Sequence, residues 1–177
     1  MNLPNKNIER KLIKAGHGQI IGVDEVGMGC LAGPVVVCAA YFDKRFYLRK
    51  SKNLKNVNDS KLLSSKKRGE VARELIKNKY FKYKISLCQP KTIDRLNIHK
   101  ASKLAMRRAV ESLAKTLAKT VFVQRQSLQT IAPRRGVMVL VDGLHEIPNL
   151  GIEQRTITKG DSKIFVIACA SIVAKVY

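Results

Sequence analysis

Acidic residues are scarce in this chain: 13 Asp and Glu stand against 34 Lys and Arg in 177 residues, a formal charge of +21. Solubility asks for far less, so a polyanionic partner is the first expectation, nucleic acid before others. The excess is uneven, with fifteen Lys/Arg and three Asp/Glu between Lys44 and Lys84. A solvated face on a basic protein would give the same patch, and charge alone says nothing about chemistry. Cysteine is also sparse. Cys30, Cys38, Cys88 and Cys169 sit singly, with no CxxC and no His at zinc-ligand spacing, which excludes a structural zinc site and reads as reduced core thiols. Long apolar runs are missing too. The longest, Cys30 to Phe42, is interrupted by Gly33 and Pro34 and falls short of the ~20 residues a membrane span needs. The first eighteen residues carry Lys6, Glu9, Arg10, Lys11 and Lys14 without an apolar stretch, so no secretory signal is read and a cytoplasmic protein with no membrane partner is expected. There is no GxxxxGK[ST] loop, no GxSxG elbow and no HExxH, which removes the common nucleotide-binding, serine-hydrolase and zinc-protease motifs.

What is present is the balance of one globular α/β domain, 45% hydrophobic and 27% charged. Asn5 to Ala15 reads as a short covering helix, so residues 1–18 form a helical extension to a domain over 19–177. Gln19–Val26 and Val35–Phe42 predict a central antiparallel strand pair, divided by a Gly-rich turn. Asp43 to Ser60 reads as a basic connector. Ser64 can cap a helix reaching about Lys79, with Val71, Leu75 and Ile76 inward. Tyr83–Cys88 is a third strand. Pro90 to about Leu117 is strongly helical with a break near Asn97, and Ile98, Ala101, Leu104, Ala105 and Ala109 form its apolar face. Val121 to Gly136 reads as a strand remnant plus loop. Val137–Val141 has the form of a strand buried on both faces. Gln154–Thr158 is a possible strand, followed by a helix capped by Asp161 or Ser162, with Ile164, Ile167, Ala168, Ser171 and Ile172 on one side. The order predicts a mixed α/β fold built on one sheet.

Asp24 and Glu25 lie in an otherwise apolar strand, where ionised carboxylates are costly to bury unless a cation neutralises them. Adjacent strand residues point to opposite faces, so both can serve one site only if the strand ends or bulges there; Gly27 and Gly29 would permit a bend. An Asp-Glu pair at a strand end is, by itself, more often a solvated turn. Asp142, at the end of a second buried strand, changes the weighing. Three hard oxygen ligands suit Mg²⁺ or Mn²⁺, and a carboxylate cluster beside basic residues suits phosphoryl transfer. His17, His99 and His145 are scattered, and Asp161 is read as a helix cap rather than a ligand.

The string Gly22-Val23-Asp24-Glu25-Val26-Gly27-Met28-Gly29-Cys30-Leu31-Ala32-Gly33-Pro34-Val35-Val36 resembles the signature of ribonuclease HII, the type 2 ribonucleases H. Further matches follow in order: Asp59-Ser60-Lys61-Leu62-Leu63-Ser64, then Ile93-Asp94-Arg95-Leu96-Asn97-Ile98 with Ala101 and Ala105-Met106. Val141-Asp142-Gly143 comes next, then Lys159-Gly160-Asp161 with Ala170 to Val176. The resemblance implies the ribonuclease H-like fold, a five-stranded mixed sheet flanked by helices. It also implies an endoribonuclease that cuts RNA in RNA/DNA hybrids and ribonucleotides embedded in DNA. Asp24, Glu25 and Asp142 would be catalytic residues holding two Mg²⁺ or Mn²⁺ ions; Gly27, Met28 and Gly29 would meet the ribose 2′-OH through the backbone, and Lys61 a substrate phosphate. A monomer is expected. In two respects the chain departs from the family pattern. Met28 stands where the family has Arg. The family's fourth carboxylate is expected in an RD pair beyond Tyr177, together with a tyrosine that packs under the scissile ribonucleotide, so a chain cut short there would be impaired or bind nucleic acid without cutting it.

Overall fold

A computed structural model describes residues 3–30, 32–48, 57, 60–125 and 135–177, with the backbone alone for 120–125 and 135. Leu31, Asp59, most of the expected connector and residues 126–134 lie outside the described residues. The elements are α1 (Asn7–Lys14), β1 (His17–Val26), β2 (Val35–Phe42), α2 (Lys44–Leu48), α3 (Ser65–Lys77), β3 (Phe81–Cys88), α4 (Pro90–Leu96), α5 (Ile98–Arg125), β4 (Arg135–Asp142), β5 (Glu153–Ile157), a 3₁₀ turn (Gly160–Ser162) and α6 (Phe165–Val176).

The strands form one sheet of order β3-β2-β1-β4-β5. β1 runs antiparallel to β2 and parallel to β4, β2 antiparallel to β3, and β4 parallel to β5, so the sheet is mixed, as expected. Alternation along β1 divides the interior into two cores. Ile21 and Val23 face α5, packing with Ala101, Ala105, Met106, Val110 and Leu113. Ile20 faces the side of α6 and α3, with Phe42, Leu75, Phe165 and Ile172. Gly22 shares that second face for a steric reason: a Cβ there would lie 2.7 Å from the carbonyl carbon of Val166 and 2.8 Å from the nitrogen of Ile167. The absent side chain lets the α6 backbone rest on β1.

Each helix end has a local cause. Ser64 Oγ accepts from the Lys67 N–H at 3.3 Å, as its position predicts. Asn97, in the left-handed region at φ 69°, stops α4, and its Oδ1 accepts from the Lys100 N–H at 3.0 Å to start α5. α6 is capped from a distance: Glu9 of α1, fully buried, accepts from the Val166 N–H through Oε1 at 3.0 Å. Asn5 also bridges to Ile164, fastening the N-terminal segment to this helix.

Four expectations need correction. The connector contains α2, whose Phe46 stacks on Phe42 with centroids 4.2 Å apart and so has a reason to be ordered. α3 stops at Lys77, and Ile76 is 49% exposed because it lies off the buried Val71–Leu75 stripe. α5 runs on through Arg125, so Val121 begins no strand; extending an established helix costs less than starting a new element. Cys30 is exposed in the turn after β1, while Cys38, Cys88 and Cys169 are buried.

Candidate metal centre

The site forms where β4 ends beside β1. Their parallel register runs to Val23↔Val141, so Asp24 and Asp142 are the next residues on neighbouring strands. β1 itself does not bulge: it stays paired with β2 in unbroken register through Val26↔Val36. The opening comes from the end of β4, and the bend expected in β1 is instead a turn at Gly27, which sits at φ +99°. A Cβ on Gly27 would also meet the Pro34 carbonyl oxygen at 2.6 Å, so both conformation and space require glycine. Gly29 has open space on its Cβ side. Met28 packs against the α5-side core, and its side chain does not serve as a polar contact.

Asp24 and Glu25 diverge as strand alternation dictates. Asp24, 3% exposed, looks toward α6, where Ser171 and Lys175 temper its charge. Its Oδ1 accepts from the Glu25 N–H at 2.8 Å. Glu25 looks toward α5, where Lys103 is its main favourable charge, and its Oε2 is buried with no hydrogen-bond partner among the described residues. Burial, then the neighbouring Asp142, push the Asp24 carboxyl up to about 8, and the same two causes raise Glu25.

Asp161 joins this pair of strand ends. It is not the cap of α6, which Glu9 provides; it is 3% exposed in the 3₁₀ turn before that helix. Carboxylate oxygens of Asp24, Asp142 and Asp161 all lie within 4.8 Å of one another. The turn is built for this. Lys159 adopts φ 55°, in the left-handed region, and Gly160 then donates its N–H to Asp142 Oδ1 at 2.6 Å. A Cβ on Gly160 would sit 2.7 Å from Ile167 Cδ1 and 3.1 Å from Asp142 Oδ1. A fourth carboxylate therefore stands within the described chain, and the expectation that it lies beyond Tyr177 is replaced. Glu25, by contrast, is not among the three that converge most tightly.

Three lysines rim the carboxylates. Lys61 Nζ lies 3.2 Å from Asp161 Oδ2. The preceding Ser60 is fully buried and shares a 2.8 Å hydrogen bond with Ser171 Oγ, which pins this segment to α6. Lys175 Nζ donates to Ser171 Oγ at 2.6 Å. On the other side, Lys103 Nζ donates to the His145 carbonyl oxygen at 2.6 Å. Burial lowers the Lys103 ammonium from its ordinary range, opposed by Glu25 and Asp142. Sequence reasoning missed Asp161, Lys103, Ser171 and Lys175. Only Asp161 carried a usable signal, an acid after glycine between a strand and an apolar helix.

Buried carboxylates that repel one another, with one oxygen lacking a hydrogen-bond partner among the described residues, are a poor way to stabilise a fold and a good way to bind a hard divalent cation. The donor set is all oxygen, which fits Mg²⁺ or Mn²⁺ and not zinc.

The family model described as Ribonuclease HII matches residues 21–177. The chain belongs to the ribonuclease HII family. It is 42% identical to ribonuclease HII of Caldicellulosiruptor bescii over 96% of its own length and 69% of the relative's. The enzyme of Pediococcus pentosaceus is 38% identical over 96% of this chain and 56% of its own. In three dimensions, Bst-RNase HIII in complex with Mn²⁺ matches with a TM-score of 0.66 at 22% identity, covering 93% of this chain and 53% of that one. The ribonuclease H2 of Pyrococcus horikoshii OT3 gives 0.62 at 23%, covering 89% and 71%. These likenesses identify the ribonuclease H-like fold; the chain spans about half the length of the Bst protein.

Proposed function

We propose that this chain is the catalytic part of an endoribonuclease that hydrolyses phosphodiester bonds at ribonucleotides in RNA/DNA hybrids or in duplex DNA. The observation that carries the reading is the convergence of Asp24, Asp142 and Asp161 within 4.8 Å, with Glu25 adjacent, on a basic protein of the ribonuclease HII family.

Asp24, Glu25, Asp142 and Asp161 would hold Mg²⁺ or Mn²⁺, and the Mn²⁺ bound by Bst-RNase HIII supports that choice. Divalent cations bound there would supply an activated water for in-line attack and charge stabilisation for the leaving 3′ oxygen. The chain's own residues do the rest. Gly160 N–H fixes one Asp142 oxygen and leaves the other to bind. Ser171 and Lys175 hold Asp24 from behind. The main chain of Gly27, Met28 and Gly29 meets the substrate at the open turn, where a ribose 2′-OH would separate RNA from DNA. With Met28 turned into the core, that recognition rests on backbone groups alone. Lys61, beside Asp161, is placed to meet a substrate phosphate.

The other reading, a nucleic-acid-binding chain without chemistry, drew on a fourth acid lying past Tyr177; Asp161 weighs against it. The test is cleavage of a DNA duplex carrying one ribonucleotide with Mg²⁺, Mn²⁺ or EDTA, beside Asp24→Asn. Metal-dependent nicking at the ribonucleotide, lost in the variant, is expected. Salt-sensitive binding in EDTA with no nicking under either metal would replace the proposal with the binding-only reading.

A further inference from the structure

A second feature adjoins the carboxylates and has no part in the chemistry above. A cleft of about 600 Å³ lies between the first turns of α5 and the loop after β4, lined by His99, Lys100, Lys103, Leu104, Arg107 and His145, with Pro148 and Asn149. Its floor is apolar through Leu104 and Pro148, and Glu146 is the one acidic side chain among its walls. His99, Lys103 and Arg107 follow at intervals of four, so they stand above one another on a single face of α5, over about 12 Å of helix. Successive phosphates of one duplex strand advance by about 3.4 Å along the axis, so this row spans about the length of four phosphates.

A row of basic residues on a helix is ordinarily just a solvated face. Here two further observations separate it from one. The row opens into a cavity with an apolar floor, large enough for a sugar and its phosphates. Its middle member, Lys103, is half-buried, bound to the His145 carbonyl at 2.6 Å, and shared with the metal centre, because the carboxylates of Glu25 and Asp142 act on its charge. Among the described residues, Arg107 makes a long 4.0 Å ion-pair contact with Glu111, which leaves most of its guanidinium available. Lys100 is exposed.

We infer that this cleft is a binding subsite for the sugar–phosphate backbone of the nucleic acid, beside the scissile position, with sugars against Leu104 and Pro148 and phosphates against Lys100, Lys103 and Arg107. The inference rests on the nuclease reading for its ligand class but not for its test. Lys103 is the hinge between the two sites: it senses the carboxylates on one side and backs the phosphate row on the other. The subsite reads no base, so it contributes affinity and register rather than sequence preference.

The experiment is fluorescence anisotropy of a labelled DNA duplex carrying one ribonucleotide, in EDTA, as a function of salt. It compares the full chain with Lys100→Glu/Arg107→Glu. The control is Lys115→Glu/Lys119→Glu, the same charge change on exposed positions of the same helix about 20 Å farther along. The cleft variant is expected to bind at least about 10-fold more weakly and to lose about 2 from the slope of log K against log salt. The control should stay within about 3-fold of the parent. Parent-like binding by the cleft variant, or an equal loss in the control, would overturn the inference. Because EDTA removes catalysis from the readout, failure of the nuclease reading shows up separately, in the Asp24→Asn cleavage assay.

Discussion

The two helices that flank β1 differ in almost every respect. α6 is buried without a break from Phe165 to Ala174, rests backbone-close on Gly22, and is capped by a carboxylate from another element. α5 is more than twice as long, buries one stripe and shows a basic face to solvent. Both send side chains to the same carboxylates, Ser171 and Lys175 from α6 and Lys103 from α5. The difference teaches a division of labour. The buried helix holds the acids in place in a low-dielectric setting; the amphipathic helix brings the charge that meets the substrate. Substitutions on the α6 side should therefore cost stability, and those on the α5 side should cost binding.

The contrast should break most sharply at Gly22. In Gly22→Val the new Cβ meets backbone atoms of Val166 and Ile167, neither of which can rotate away, so about 3 kcal/mol or more of stability is lost. Urea unfolding measures it, and a loss under about 1 kcal/mol would mean that α6 can move off the strand.

Glu9 comes next. Burial raises its carboxyl to about 7 from an ordinary 4.5, so the folded state holds the proton more tightly than the unfolded chain. The stabilisation is complete below 4.5 and is lost as pH rises through 7. Glu9→Gln keeps an acceptor for Val166 but does not titrate. Its stability relative to the parent should rise by about 2 to 3 kcal/mol between pH 4.5 and 8, seen as diverging urea midpoints. Parallel midpoints would place the charge of Glu9 in water.

A smaller effect is expected from Asp24→Asn without metal. The carboxyl is raised to about 8 from an ordinary 3.8 by burial and by Asp142, so the metal-free folded protein loses stability as pH rises from about 4 through 8, where the unfolded chain is ionised and the folded one still holds its proton. The variant should be more stable than the metal-free parent by about 1 to 2 kcal/mol at pH 9, and inactive. The same shift makes cation uptake release a proton near neutral pH, so Mn²⁺ affinity should rise as pH approaches 8. Titration calorimetry in two buffers of different ionisation enthalpy would detect that proton.

The smallest change in stability should come from the α5 side. Lys103→Met removes a half-buried ammonium and should alter stability by less than about 1 kcal/mol, because its aliphatic stem is retained. Duplex affinity in EDTA should nevertheless fall severalfold. A large loss of stability with unchanged binding would reverse the division between the helices.

Local pattern made much of the fold legible before the structure. β1, β2 and the buried run of β4 declared themselves by apolar composition, and Asn97 and Ser64 by turn and cap chemistry. Asp24, Glu25 and Asp142 were legible for a physical reason: carboxylates at the ends of apolar strands are expensive, and the expense calls for a counter-charge. Asp161 was misread because an acid before a helix has a commoner local use as a cap. Only the Lys159–Gly160 turn and the register of β4 beside β1 reveal that it points into the cluster, and neither is a local property. The distant cap from Glu9 was hidden for the same reason, since it joins residues 157 apart in sequence. Lys103 looked like one more charge on a basic face until the loop after β4 closed over it.

The most direct test of the central claim is Asp161→Asn, assayed for nicking of a ribonucleotide-containing duplex in Mn²⁺ and for Mn²⁺ affinity by calorimetry. If Asp161 completes the carboxylate centre, nicking falls by about 100-fold or more and Mn²⁺ binding weakens while the protein stays folded. Parent-like nicking and Mn²⁺ affinity would contradict the account, returning Asp161 to a purely structural role and the fourth acid to some other part of the protein.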